Sequence, residues 1–409
     1  MSRLTRCFYC AVSVALFIFI VPSNMDAQAT SRILQAKWEF HAVSNTDNAQ
    51  LKEWHPAEVP GVVQTDLLHD GLIPDPFYQD NDTRLQWIGL TDWEYRTTFD
   101  ADAATLAHDH VDLVFEGLDT YADVYVNEQL VLHSDNMFRH WRVPAKTLLK
   151  AGPNTLRVVF HSPIESMIPK VKALPYILPS VTSHMTGNEE DIATAPYTRK
   201  APYQYGWDWG PRYVTEGIWK PIRLETWDAL RIENFHIQQQ SVTRDFATLN
   251  AELEIEASHS AAASVEIDYA ELSGAPSAPI RQSVQLESGI NRIGVAVHIA
   301  NPKLWYPLGV GAQDRYRFSA QVRIGRNVAA DASLKTGLRS IELRREVTGA
   351  DTSFAFVVNG IPIFAKGADV IPFDSFPNRV TPEIHRKILE SARDAHMNMV
   401  REWGGGYYE

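Results

Sequence analysis

Two short runs hold the residues best suited to chemistry. The first is Trp207-Asp208-Trp209-Gly210-Pro211-Arg212; the second is Arg401-Glu402-Trp403, followed by Gly404, Gly405 and Gly406. A carboxylate accepts hydrogen bonds from two hydroxyls at once, so Asp208 suits a polyol. An indole stacks its face on the C–H face of a sugar ring, and its N–H reaches a hydroxyl. Of Trp207 and Trp209, one is expected to touch a ligand and the other to pack. The alternative for Asp208 is structural, a carboxylate tying the backbone of its own loop. Gly404 to Gly406 provide tight backbone rather than chemistry. The fourteen His show no metal-ligand spacing; His133, His140 and His184 read as surface or core residues.

Composition supports this choice of ligand. Eleven Trp and fifteen Tyr are many for 409 residues, which suits β-rich cores and sites that stack flat rings. Hydrophobic residues make up 45% and charged residues 22%, as in ordinary globular proteins. The formal net charge of −12 excludes nucleic acid as the main partner, because phosphate binding needs a basic face. An uncharged ligand is compatible with that charge.

The first 29 residues read as an address. Arg3 and Arg6 precede an apolar run from Ala11 to Val21, and Ala27-Gln28-Ala29 follows as a small-x-small cleavage pattern. The run is short for a membrane span, so no membrane association is expected after cleavage. Cys7 and Cys10, the only cysteines, lie inside this segment. The mature chain would enter an oxidising compartment without disulfides and rely on large cores. With one sequon, Asn81-Asp82-Thr83, a bacterial periplasmic or secreted protein is expected rather than a lysosomal one.

The elements that must position the two runs follow in order. Val111–Phe115, Ala122–Val126 and Thr155–Phe160 are strand-like, with turns at Asn127-Glu128 and at residues 151–154. Such spacing predicts a sandwich or jelly roll over residues 30–228. A Pro-, Tyr-, Thr- and Trp-rich stretch from Pro163 to Pro211 interrupts it as a long loop, and long loops are usually functional. Gly217 to Trp227 closes the domain. A second β series spans residues 229–345: Arg231–Gln238, Ala247–Ala257, Ala263–Tyr269, Asn291–Ile299, Tyr316–Ile324 and Leu338–Arg344. It predicts an immunoglobulin-like sandwich. Residues 346–409 change pattern. Phe354–Val358 and Ile361–Lys366 flank an Asn-Gly turn. Thr381, Pro382 and Glu383 open a helix whose Ile384, Ile388, Ala392 and Ala395 share a face. Asn398–Trp403 then reads as a buried strand, completing a βαβ unit.

Three stretches in this order resemble the β-mannosidases of glycoside hydrolase family 2. They are residues 54–61 with Asp75-Pro-Phe-Tyr78 and Trp93-Glu-Tyr95; residues 205–212 with Gly217-Ile-Trp219; and Lys366-Gly-Ala368 through residues 401–406. The resemblance implies a galactose-binding-like jelly roll, an immunoglobulin-like sandwich and then a (β/α)8 barrel. It implies retaining hydrolysis of terminal β-mannosyl residues of mannose-containing oligosaccharides by two glutamates about 5–5.5 Å apart, with no metal and no organic cofactor. It implies that Asp208 hydrogen-bonds hydroxyls of the terminal sugar. Trp403 would line the same subsite and Arg401 would orient the nucleophile. Asp369-Val370, where Asn-Trp is usual, and Glu402 depart from the family's pattern.

Both family glutamates belong to later barrel strands, and a barrel takes about 250 residues. Residues from Phe354 onward amount to one βαβ unit, so no acid/base and no nucleophile is expected among these 409 residues. Glu409 belongs to a strand-to-helix loop. Glu402 alternates with Arg401 and Trp403 and would face the helix shell if those two face inward. The expectation is a truncated, inactive form. The rivals are a carbohydrate-binding module and a β-galactosidase or β-glucuronidase relative, and Trp207-Asp208-Trp209-Gly210 disfavours the relative.

Overall fold

Alternation of apolar and polar residues builds two sandwiches in succession. The structure is a computed structural model that describes residues 29–44, 46, 48–176, 178–179, 193–349 and 351–407. Residues 1–28, which hold most of the expected address segment, His184 and Glu409 lie outside the described residues.

The first sandwich has ten strands: β1 Thr30–Ile33, β2 Trp38–Ala42, β3 His55–Ala57, β4 Trp93–Ala101, β5 His110–Phe115, β6 Tyr121–Val126, β7 Gln129–Asp135, β8 Trp141–Pro144, β9 Gly152–His161 and β10 Ile222–Trp227. They form a six-stranded sheet, β3-β2-β4-β9-β6-β7, and a four-stranded sheet, β1-β10-β5-β8. All pairs are antiparallel. On β4 every second residue is buried, as the period of a half-buried strand requires. Trp93, Tyr95, Phe40, Phe115 and Phe160 fill the space between the sheets.

The second sandwich packs β11 Leu230–Val242, β12 Phe246–Ala257 and β15 Gly289–Ala300 against β13 Ala261–Glu271, β14 Ile280–Leu286, β16 Tyr316–Ile324 and β17 Asn327–Thr336. Strands β14 and β17 were not foreseen in the sequence, and exposed residues dominate β14. The stretch Leu338–Arg344, expected in this sandwich, leaves it. Leu338 still plugs the core, but the strand β18 Ile341–Arg344 pairs with β21 Ala355–Val358, which pairs with β22 Ile361–Ile363. A small hairpin of β19 Val347–Thr348 and β20 Asp351–Thr352 lies between β18 and β21.

The last unit is β23 Gly367–Val370, a helix Pro382–Asp394 and β24 Met399–Glu402, with β23 and β24 parallel. Thr381 caps the helix by accepting a hydrogen bond from Ile384 N–H, and Pro382 starts it. A single parallel pair is common to barrels and open sheets, so this element shows a βαβ unit and no more. Contrary to expectation, β24 is not buried. Its residues are exposed or half-buried because β23 is its one strand neighbour among the described residues. Leu389 and Val400 are likewise exposed.

One further expectation is corrected, and the sequon is placed. The stretch from Pro163 to Pro211 is not wholly irregular: it carries a helix, Ile168–Ala173, and short 3-10 turns at Ala195–Tyr197 and Pro202–Tyr205. Asn81 of the sequon is 5% exposed, and its side-chain amide donates to the Asp75 carbonyl, so the nitrogen a glycan would need is occupied.

Asp66, in the helix Val63–His69, is buried in the first sandwich. Its carboxylate accepts from Glu58 N–H at 3.0 Å and Tyr95 O–H at 2.6 Å. Burial outweighs these bonds and pushes its pKa up to about 7. A carboxyl raised in the folded state stabilises fully below its unfolded pKa, and that contribution is lost as pH rises towards 7. The expected outcome is that Asp66→Asn gains stability relative to the parent between about pH 4.5 and pH 8, by up to roughly 4 kcal/mol. Thermal unfolding at both pH values checks this, and a pH-independent difference would contradict it.

Candidate functional site

The loop carrying Asp208 is shaped by local backbone before it meets anything else. Pro202 opens a 3-10 turn that ends at Gly206, whose φ of 99° places it where side chains are rarely tolerated. Trp207 and Gly210 then exchange backbone hydrogen bonds of 3.1 and 3.3 Å, closing a tight turn with Asp208 and Trp209 at its tip. Asp208 is exposed, while Trp207 and Trp209 are half-buried.

The turn's base is fixed by the other family-like runs. Gly61 N–H donates to Ile218 O at 2.9 Å and Val63 N–H to Glu216 O at 2.8 Å. A Cβ on Gly217 would stand 2.6 Å from Gly61 O, so residues 59–61 and 217–219 can lie together only with glycine there. Arg212 is buried and its guanidinium donates to Gln86 Oε1 at 2.5 Å, while Gln86 Nε2 returns a 2.8 Å bond to Arg212 O. Arg212 thus serves the loop's backbone. Trp54 lies under Arg96 at 3.6 Å, on the six-stranded sheet.

The βαβ unit closes on this turn. Trp403 extends the β23–β24 pairing through a 3.0 Å bond from its N–H to Val370 O. Its ring meets Trp207 edge-on at 4.9 Å and Trp209 at 5.8 Å. Trp209 also packs on Tyr203 at 5.7 Å. Three of the four residues proposed from sequence for sugar contact therefore share one aromatic cluster, with Asp208 on the turn between two of them. The Nε1 of Trp209 and the hydroxyl of Tyr203 are buried with no hydrogen-bond partner among the described residues. Burial pushes the Tyr203 phenol up, so it stays a neutral donor.

Arg401 lies apart from that cluster. It pairs with Asp369 across the parallel strands at 3.0 Å, with both side chains more than half exposed. Such a pair contributes about 1 kcal/mol or less. Glu402 is on the other face of β24. With Val370, Val400, His385 and Leu389 it lines a cleft of about 790 Å³ against Trp219 of the first sandwich. His133 pairs with Asp123 at 2.5 Å. Among the described residues, no three His, Cys, Asp or Glu are grouped so as to hold a metal ion.

Sequence reasoning missed the residues that seat the βαβ unit. Phe376 is fully buried between Phe77, at 5.6 Å, and Tyr213, at 5.2 Å. Tyr407 stacks on Phe138 at 5.6 Å and meets Trp219 edge-on at 5.7 Å. The signals were modest: Phe77 within Asp75-Pro-Phe-Tyr78, and an aromatic one residue beyond Gly406.

Known proteins share this fold. Residues 38–220 match the family model described as glycosyl hydrolase 2 galactose-binding domain-like, and residues 230–339 match that of glycosyl hydrolases family 2. A beta-mannosidase of Bos taurus is 31% identical over 405 residues, covering 96% of this chain and 45% of the relative. Beta-mannosidase B of Thermothelomyces thermophilus is 34% identical over 381 residues, covering 92% of this chain and 42% of the relative. The chain thus spans somewhat less than half the length of these curated relatives. The crystal structure of a beta-D-mannosidase from Dictyoglomus thermophilum superposes with a TM-score of 0.85 at 36% identity, over 93% of this chain and 45% of that one. An Amycolatopsis orientalis exo-chitosanase shares the fold at 19% identity and a TM-score of 0.68, over 93% of this chain and 41% of that one. No helix among the described residues is long and apolar enough to cross a membrane.

The seating of Phe376 has a measurable consequence. Phe376→Ala is expected to weaken docking of residues 341–407 by about 3–5 kcal/mol, as for a buried Phe elsewhere. Limited proteolysis should then release that segment while the two sandwiches persist, and parent-like resistance would show that Phe376 does not hold it.

Proposed function

We propose that this chain, which belongs to glycoside hydrolase family 2, provides the sugar-recognising part of a β-mannosidase. The observation that carries the reading is the exposed Asp208 at the tip of a tight turn, flanked by Trp207 and Trp209 and closed by Trp403 from the βαβ unit. The carboxylate would accept two hydroxyls of a terminal mannosyl residue, and an indole would cover the C–H face of the ring. Similarity to the mannosidases of Dictyoglomus thermophilum, Bos taurus and Thermothelomyces thermophilus supports a mannoside over a galactoside or glucuronide.

The finer reading of the whole protein is exo-acting hydrolysis with retention, by two glutamates on a (β/α)8 barrel that begins with β23 and β24. No such pair is assigned among these residues, and Arg401 would orient the nucleophile from the end of β24. Residues 1–409 alone would then bind sugar without cleaving it. Export is supported by Arg3, Arg6, the apolar run Ala11–Val21 and Ala27-Gln28-Ala29.

Calorimetry with mannose and mannobiose tests recognition. Binding at millimolar concentration or tighter is expected, and Asp208→Ala should weaken it by about 10- to 100-fold, the worth of a charge-assisted hydrogen bond. Equal binding by that variant would refute the assignment, and tighter binding of galactose or glucuronate would refute the sugar class. Release of a chromophore from an aryl β-mannoside by the purified chain would overturn the view that these residues bind without cleaving.

A further inference from the structure

Residues 201–214, with Asp208 exposed at the tip, lie in the long connection between β9 and β10, and the residues flanking them, Lys200 and Thr215, form a neck. The Lys200 side chain has no solvent exposure. Its ammonium donates to both oxygens of Asp119, each at 2.5 Å, to the Thr215 carbonyl at 2.6 Å and to the Thr215 hydroxyl at 3.0 Å. The Thr215 hydroxyl donates to Asp119 Oδ2 at 2.7 Å, and that of Thr120 to Oδ1 at 2.5 Å. One buried carboxylate therefore holds both ends of the loop. Asp119 is in turn fixed by reciprocal 3.0 Å backbone bonds with Gly217. The entering side is anchored again where Met137 N–H donates to Arg199 O at 3.1 Å.

An ion pair this deep is weak as a source of net stability, because desolvation offsets most of its attraction. Its geometry does something else. Pinning both ends of a segment to one point removes conformational freedom that a ligand would otherwise have to remove. Burial lowers the Lys200 pKa, and Asp119 opposes that by favouring the ammonium. The neighbouring carboxyl of Glu216 is fully buried, and burial pushes its pKa well up, which favours its uncharged form beside the Lys200–Asp119 pair.

We propose that Asp119, Lys200 and Thr215 are positioning residues, a buried neck that holds the Trp207-Asp208-Trp209 turn in its sugar-binding place. The sugar part rests on the function proposed above; the mechanical part does not. Hydrogen exchange of the full chain without sugar reads the mechanical part. Thr215→Val and Lys200→Met are expected to speed exchange of amides in residues 201–214 by about 10-fold or more, leaving β12 in the other sandwich unchanged. Thr215→Ser keeps the hydroxyl and should restore slow exchange. Mannobiose affinity should fall by about 10-fold or more in the first two variants and recover in the third. Parent-like loop exchange in both Thr215→Val and Lys200→Met would overturn the proposal, as would loosened exchange with undiminished affinity. If Lys200→Met does not fold, Thr215→Val and Thr215→Ser decide alone. A parent that binds no mannobiose would sink the function reading, and exchange would then settle the neck by itself.

Discussion

Edge-to-face packing of Trp403 on Trp207 and Trp209 is the contact on which the candidate site depends. It joins a turn of the first sandwich to the end of a strand nearly two hundred residues later in the chain. Neither side makes the aromatic cluster alone. The turn offers a carboxylate and two indoles on a surface, and the βαβ unit offers one indole beyond a strand end. Brought together they form a half-buried aromatic wall beside an exposed acid, the combination on which the proposed recognition of a polyol ring rests.

That contact needs firm supports on both sides. On the βαβ side, Phe376 inserts between Phe77 and Tyr213, and Tyr407 lies against Phe138 and Trp219. These are large apolar contacts and need no precise polar partner. On the sandwich side the chain is polar, and burying it demands exact pairing. Lys200, Asp119 and Thr215 pair with one another at the loop's neck. Further out, Trp209 Nε1 and the Tyr203 hydroxyl are buried without a hydrogen-bond partner among the described residues.

The two sandwiches are joined by a different device. Arg231 of β11 reaches back to Asp112 of β5 at 2.8 Å while holding Glu256 of β12 at 2.5 Å, and it also covers Trp227. Arg142 reaches Asp112 at 3.1 Å and Glu225 at 2.6 Å. A guanidinium suits this task because its donors point in fixed, separate directions. The junction lies at the opposite end of β10 from the Gly217–Trp219 run, so the site and the inter-sandwich joint are built from separate residues.

The sequence by itself determined the sandwiches and named the chemistry. Period-2 alternation in β6 and β12 is a local property of a half-buried strand, and Thr381-Pro382 marks a helix start through its own hydrogen bonds. The run around Asp208 was legible because two Trp flanking an acid have few other uses. Strand β14 was not legible, since an edge strand with mostly exposed residues carries little alternation. The transfer of Ile341–Arg344 out of the second sandwich could not be read either, because pairing partners lie outside the strand. Tertiary structure alone decided that Trp403 meets Trp207 and Trp209, that Arg401 faces Asp369 rather than the cluster, and that Lys200 grips both ends of the loop. Those are contacts between residues distant in sequence, and no local pattern encodes which distant side chain will fill a given space.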